Sequence, residues 1–327
     1  MSAAAGHRDP VPPVAPGVPR PRWSVMIPAY RSARTIGATL ESVLAQAPGP
    51  DEMQIEVVDD GSGDEAERIV RALGRGRVGF RAHDSNLGHI RTFHDCLLAA
   101  RGQLVHLLHA DDLVRPGFYA ALGAAFEACP DLGAAYCRAV YVDEAGRELG
   151  MVPEAFPAAG PIPDAAAFLA AEQRIMTPAI VVRRAAYEAL GGFDRRFDCA
   201  EDWEMWVRIA ASYPIWYEPR PLALYRMHPD SNTGRHVRSA ADAAANRLAI
   251  SVISGYLPPD RAGAVARSAR RTYASSAIDS AAALLRAGDP GAALAQAREA
   301  LRLSPAAALR RAVRILASRG TPVARRS

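Results

Sequence analysis

Among the places where the 327-residue chain puts two carboxylates side by side, three stand out for their setting: Asp59-Asp60, Asp111-Asp112 and Glu201-Asp202. The first two pairs end apolar runs, residues 54–58 and 104–108, of the kind that form strands buried on both faces. Carboxylates at the carboxyl end of such a strand face the crevice in which open α/β sheets take their ligands. There they can hold a divalent cation, which prefers oxygen ligands, or accept hydrogen bonds from a ligand. The third pair opens an amphipathic stretch, where a carboxylate can serve as a base toward a hydroxyl. Each pair also has a plainer reading. Asp111 suits the cap of a helix starting near Pro116, Ser62 and Glu65 have capping-box spacing, and Glu201 and Asp202 are acids favoured at a helix N-terminus.

The elements that must position these groups are legible from periodicity. Residues 24–30 form a short apolar strand stopped by Pro28, after which Ser32 can cap a helix carrying Ile36, Leu40, Val43 and Leu44 inward. The strand at 54–58 leads to a helix with Ile69, Val70 and Leu73, the strand at 77–81 to a helix over 90–100, and that helix to the strand beginning near Gln103. Four strand–helix alternations with short links imply an α/β fold with a mostly parallel sheet flanked by helices. After a helix over 118–128, residues 133–142 and 147–149 read as strands joined by a turn at 143–146, so the later sheet is expected to be mixed. Residues 151–163, rich in Pro and Gly, read as a mobile loop, and 179–182 as a further strand. Beyond residue 238 the chain becomes Ala- and Arg-rich helices broken at 255–259, 288–291 and Pro305. The expected organisation is a disordered lead-in over 1–21, an α/β domain over 22–235 and an α-helical C-terminal region over 236–327.

Composition excludes several chemistries. All 39 Lys/Arg positions are arginine, so a P-loop lysine or a Schiff base is ruled out. Cys96, Cys129, Cys137 and Cys199 have no metal-binding or disulfide spacing. The net charge of +4 gives no reason to expect a nucleic-acid partner. No apolar run approaches the roughly 20 residues that cross a bilayer, which implies a cytoplasmic protein. Arg310, Arg311, Arg314 and Arg319 read as a solvated face, with peripheral contact to an anionic membrane as the second reading. His106 and His109 read as core histidines with metal ligation as the alternative, and Trp203 and Trp206 as core.

Taken in order, residues 24–30 (SVMIPAY), 57–64 (VVDDGSGD), Asn86-Leu87-Gly88, Ala110-Asp111-Asp112, Gly192-Phe193-Asp194 and Glu201-Asp202-Trp203 resemble the family 2 glycosyltransferases of GT-A fold. The resemblance covers residues 23–233. It implies a nucleotide-sugar donor, an acceptor that is a saccharide, a lipid-linked sugar or a small molecule, a divalent cation (Mn²⁺ or Mg²⁺), and inverting transfer in surface polysaccharide or glycoconjugate synthesis. By position, Asp60 matches the group that bonds the nucleobase, with Pro28, Ala29 and Tyr30 in the base pocket. Asp112 matches the metal ligand, Asp111 its neighbour toward ribose and sugar, and Asp202 the catalytic base. Arg226 and His228 fall near the diphosphate and metal, and Asn86, His89 and Arg91 beside the donor pocket. One departure stands out: the family's acidic signature is often D-x-D, and the position two before Asp112 is Ala110.

Two alternatives remain at this stage. A sugar-phosphate nucleotidyltransferase shares the architecture but carries a Gly-rich loop and a lysine where this chain has residues 28–32 (PAYRS). A catalytically degenerate scaffold, binding a partner through its C-terminal helices, would explain Ala110.

Overall fold

The computed structural model describes residues 6–227 and 232–319. Ten strands form one sheet: β1 (Trp23–Ala29), β2 (Met53–Asp59), β3 (Gly79–Ala82), β4 (Leu104–Leu107), β5 (Leu113–Val114), β6 (Ala134–Val142), β7 (Glu148–Met151), β8 (Gly160–Pro161), β9 (Ile180–Arg183) and β10 (Ile215–Arg226). Their order is β3-β2-β1-β4-β9-β6-β10-β5. The first four run parallel, β9 is antiparallel to both β4 and β6, and β10 returns parallel to β6. β7 and β8 pair at the side, so part of the stretch read as a mobile loop is strand.

The intervening helices form where the apolar spacing places them. Helix α1 (Ile36–Leu44) buries Ile36, Leu40 and Val43, and α2 (Ala66–Gly74) buries Val70. Helices α3 (His89–Ala99) and α4 (Phe118–Ala128) follow β3 and β5. Next come α5 (Ala165–Ala170), α6 (Arg184–Leu190), which ends at Gly191 with φ 79°, and α7 (Glu201–Ala210).

None of the expected side-chain caps forms. The N-cap residues are Thr35 for α1 and Glu65 for α2, neither bonding through its side chain, and Ser32 and Ser62 lie outside the helices. The first amides of α4, Gly117 N–H and Phe118 N–H, donate to Gln46 Oε1 at 2.9 and 3.1 Å. Asp111 is therefore not spent as a cap there.

The segment expected to be a disordered lead-in is held in place over residues 7–12. Gly192 N–H donates to the Asp9 carbonyl (2.8 Å), Arg195 N–H to the His7 carbonyl (2.9 Å) and Arg184 Nη2 to the Pro12 carbonyl (2.9 Å). Val11 is buried, and Arg8 faces Asp194 at 3.4 Å. Low hydrophobicity hid this because the segment is retained by backbone pairing and one valine rather than by an apolar face.

The chain divides into two compact units. The first comprises the residues up to Ala165, with Arg174–Arg196 and Met205–Met227, and contains the sheet. The second is assembled from Ala166–Gln173, Phe197–Glu204 and the C-terminal helices α8 (Asn232–Ser239), α9 (Ala241–Ile253), α10 (Pro259–Arg286), α11 (Pro290–Leu303) and α12 (Pro305–Arg319). Three of these begin at proline, whose missing N–H is harmless in a first turn. Ala243, Ala277, Ala300 and Ala308 form their buried cluster, small side chains that let helix axes approach. No helix among the described residues is long and apolar enough to cross a membrane. The four cysteines are free.

Candidate functional site

Because β2, β1 and β4 are parallel neighbours, their carboxyl ends share one edge. Register sets Ala29 beside Asp59 and Met26 beside Leu107. Strands two places apart are about 10 Å apart, so the two aspartate pairs flank the end of β1 on one rim. Helix and strand packing on both faces leaves this rim as the switch point at which the strand order reverses around β1.

On the β2 side the loops are tied together. Asp59 accepts from Ser62 N–H (2.8 Å) and Ser62 Oγ–H (2.5 Å), and Ser62 Oγ accepts from Arg31 N–H (2.7 Å). Asp64 accepts from Ala33 N–H and Ala66 N–H, both at 3.0 Å. Gly61 has φ +67°, and a Cβ there would lie 2.4 Å from the Ser85 carbonyl carbon, so only glycine fits. Asp60 is buried and organises the next turn. Its Oδ1 receives Leu87 N–H (2.7 Å) and His83 Nδ1 (3.0 Å), and its Oδ2 receives Gly88 N–H (2.9 Å). His83 Nε2 in turn faces Asp95 at 3.1 Å, and Arg91 Nε donates to Asp95 at 3.0 Å. Arg91 thus reaches the network through Asp95. Pro28 and Ala29 are buried in β1, Tyr30 is exposed beneath the Arg31 guanidinium (5.1 Å), and Asn86 is exposed on the turn that Asp60 holds.

On the β4 side the strand ends at Leu107, and His109, Asp111 and Asp112 lie beyond it. One ligand atom from each of these three lies within 4.8 Å of the others. Asp112 is 1% exposed. Its Oδ1 receives Arg226 N–H at 2.8 Å, whereas its buried Oδ2 makes no hydrogen bond and stands 3.6 Å from His109 Nδ1. Burial pushes the Asp112 carboxyl well above its usual range, Asp111 adds to this, and Arg226 opposes it. Arg226 also donates through Nε to the Asp111 carbonyl (2.8 Å) and through Nη1 to the carbonyls of Asp143 (2.9 Å) and Glu144 (2.8 Å). The two sides meet at Phe93, whose ring is edge-on to His89 (5.5 Å) and stacked on His109 (5.4 Å).

A buried carboxylate oxygen lacking a donor, with a second carboxylate and an imidazole beside it, suits a divalent cation. His109 was read as core from the sequence. It lies at the rim because the strand stops two residues earlier, while His106 is the core histidine, fully buried against Phe118 (4.7 Å).

The profile of glycosyl transferase family 2 matches residues 24–174, spanning both acidic pairs. The uncharacterized protein MT1568 of Mycobacterium tuberculosis (strain CDC 1551 / Oshkosh) is 30% identical over 227 residues, 66% of this chain and 70% of that one. This chain belongs to glycosyl transferase family 2. The succinoglycan biosynthesis protein ExoO of Rhizobium meliloti is 38% identical to the transferase over 96 residues, 29% of this chain and 27% of that protein. Among solved structures, S. aureus TarS 1-349 in complex with UDP-GlcNAc superposes with a TM-score of 0.57 at 16% identity, covering 85% of this chain and 90% of that one. The mannosyltransferase PcManGT from Pyrobaculum calidifontis, in complex with GDP-Man and Mn²⁺, gives 0.58 at 20% identity, covering 94% and 90%. At these identities the likeness establishes the GT-A fold.

Two expected site residues of this family 2 transferase remain. Asp202 belongs to the second unit, in the first turn of α7, and accepts from Trp203 N–H (2.7 Å) and Gln173 Nε2 (2.8 Å). His228 lies outside the described residues. Sequence reading missed His83, Asp95 and Gln46, whose roles arise from hydrogen bonds between segments distant in the chain.

Proposed function

We propose that this transferase moves a sugar from a nucleoside-diphosphate sugar to an acceptor hydroxyl with inversion at the anomeric carbon, in the assembly of a surface polysaccharide or glycoconjugate. The observation that carries the proposal is the unsatisfied, buried Oδ2 of Asp112 beside Asp111 and His109 on the switch-point rim. Those three residues would hold a divalent cation, Mn²⁺ or Mg²⁺, with His228 as a further candidate. Such a cation neutralises the charge that develops on a diphosphate leaving group.

The chain's own groups supply the rest. Asp60 already takes three donors, which leaves one acceptor position on Oδ2 for a nucleobase N–H. Pro28, Ala29, Tyr30 and the Asn86–Gly88 turn frame that position. Arg226 places fixed positive charge against the acidic tip, a task arginine must perform in a chain without lysine. Asp202 takes the proton of the acceptor hydroxyl, making it a competent nucleophile. Support for the donor class comes from TarS and PcManGT, described with UDP-GlcNAc and with GDP-Man and Mn²⁺. ExoO, named for succinoglycan biosynthesis, supports the polysaccharide setting.

Calorimetric titration with UDP, GDP and dTDP, each with and without Mn²⁺, tests the site. Metal-enhanced binding of one nucleotide is the expected result. Absence of binding by the folded protein overturns the reading.

A further inference from the structure

The carboxylate assigned as the base is held from both sides, and the holding groups trace to the C-terminal helices. Gln173 Nε2 donates to Asp202 Oδ2 at 2.8 Å, while Trp203 N–H donates to Oδ1 at 2.7 Å. Gln173 is itself fixed, its backbone N–H donating to the Tyr273 hydroxyl of α10 at 2.9 Å. The Tyr273 ring packs on Trp203 with centroids 4.9 Å apart. Trp203 is fully buried and donates Nε1–H to the Leu169 carbonyl at 2.7 Å. One residue further on, the buried Glu204 receives the Tyr256 hydroxyl. The chain enters this turn through Ala200 at φ 67°, a left-handed conformation that a non-glycine residue keeps only when its surroundings enforce it. Every partner belongs to the second unit.

We propose that Gln173 is the positioning residue for Asp202, and that Tyr273 of α10 fixes Gln173 in turn. The proposal rests on the reading of Asp202 as the base. A base must be held within a few tenths of an ångström of its working position, and two donors on different oxygens set the plane of a carboxylate. The choice of glutamine matters. Its amide orients the carboxylate without placing a full positive charge beside it, which an arginine, the only basic side chain of fixed charge in this protein, would do. The C-terminal helices on this view are part of the machinery that presents the base.

The test uses the full chain with UDP-GlcNAc and GDP-mannose as probes, reading nucleotide release with water as acceptor. Gln173→Ala is expected to lower kcat by about 10- to 100-fold while KM for the donor and the affinity for UDP or GDP stay within about twofold, the pattern of a lost transition-state interaction. Tyr273→Phe, which keeps the ring and removes the acceptor oxygen, should lower kcat less, by about 3- to 10-fold, at an unchanged melting temperature. Asp202→Asn separates the two readings. Full turnover by that variant overturns the base assignment and with it the role of Gln173, whereas an inactive Asp202→Asn beside an unaffected Gln173→Ala overturns the role of Gln173 alone. Independently of turnover, a crystal structure of Gln173→Ala should show the Asp202 carboxylate turned away from its present direction. A carboxylate that stays in place overturns the proposal.

Discussion

At the scale of single residues, Asp112 is the side chain whose environment asks for something the protein does not supply. Removing its charge should remove that demand, so Asp112→Asn is expected to cut the Mn²⁺-dependent part of nucleotide affinity by at least about tenfold, read by calorimetry with and without the ion. Gly61→Ala tests the opposite kind of constraint. With a left-handed backbone and a Cβ 2.4 Å from a carbonyl carbon, it should destabilise the fold by about 2 kcal/mol in urea unfolding. His106 gives a pH dependence. Burial pushes it down from 6.5 to about 4, against the pull of the Pro178 carbonyl. A depressed histidine stabilises above its unfolded value, and that contribution is lost as the pH falls from about 6.5 through 4, up to about 3 kcal/mol in all. His106→Gln should flatten urea-derived stability across that window. The sequence separated these roles only in part. The apolar run through residue 108 placed Asp111 and Asp112 at a strand end, but it made His106 and His109 look alike, because where a strand stops depends on its neighbours and not on its own composition.

At the scale of elements, what matters is that the loops after β1 and β2 are one structure. Ser62 and Asp64 accept amides from the β1 loop, although the spacing of Ser62 and Glu65 suits a local capping box. Capping spacing is read within one segment, whereas these hydrogen bonds cross between two, and a side chain with several local options goes where the fold leaves an unpaired amide. Asp64→Ala removes both bonds of its carboxylate and should weaken UDP or GDP binding by about tenfold with little change in helix content, a combination that calorimetry and circular dichroism would separate. The strand and helix order of the parallel half was fully legible, since each element there carries its own period. The short β5 and β8 were not, because two-residue strands exist only through their partner β10.

At the scale of the whole molecule, the second unit draws on three separated stretches of chain. Composition announced the C-terminal helices but not that residues 166–173 and 197–204 group with them, since no local pattern records it. A chain ending at Met227 should therefore keep nucleotide binding in calorimetry while residues 166–173 and 197–204 become sites of rapid proteolysis. The held segment at residues 7–12 belongs to this scale too. Its contacts to Gly192 and Arg195 close the fold across most of its length, and removing residues 1–12 should lower stability by about 3 kcal/mol through the exposed Val11 site and the lost Arg184 partner.

Those contacts also set a timetable. Arg184 lies 172 positions after the Pro12 carbonyl it grips. A ribosome adding about 5–20 residues per second needs roughly 10 to 30 seconds to make the interval. Throughout that time residues 7–12 lack these partners, and the Gly192-Phe193-Asp194 turn that will receive them does not yet exist. Residues 7–12 are thus secured only long after they are made, and nascent chains halted before residue 184 should present them to any protease or chaperone at hand.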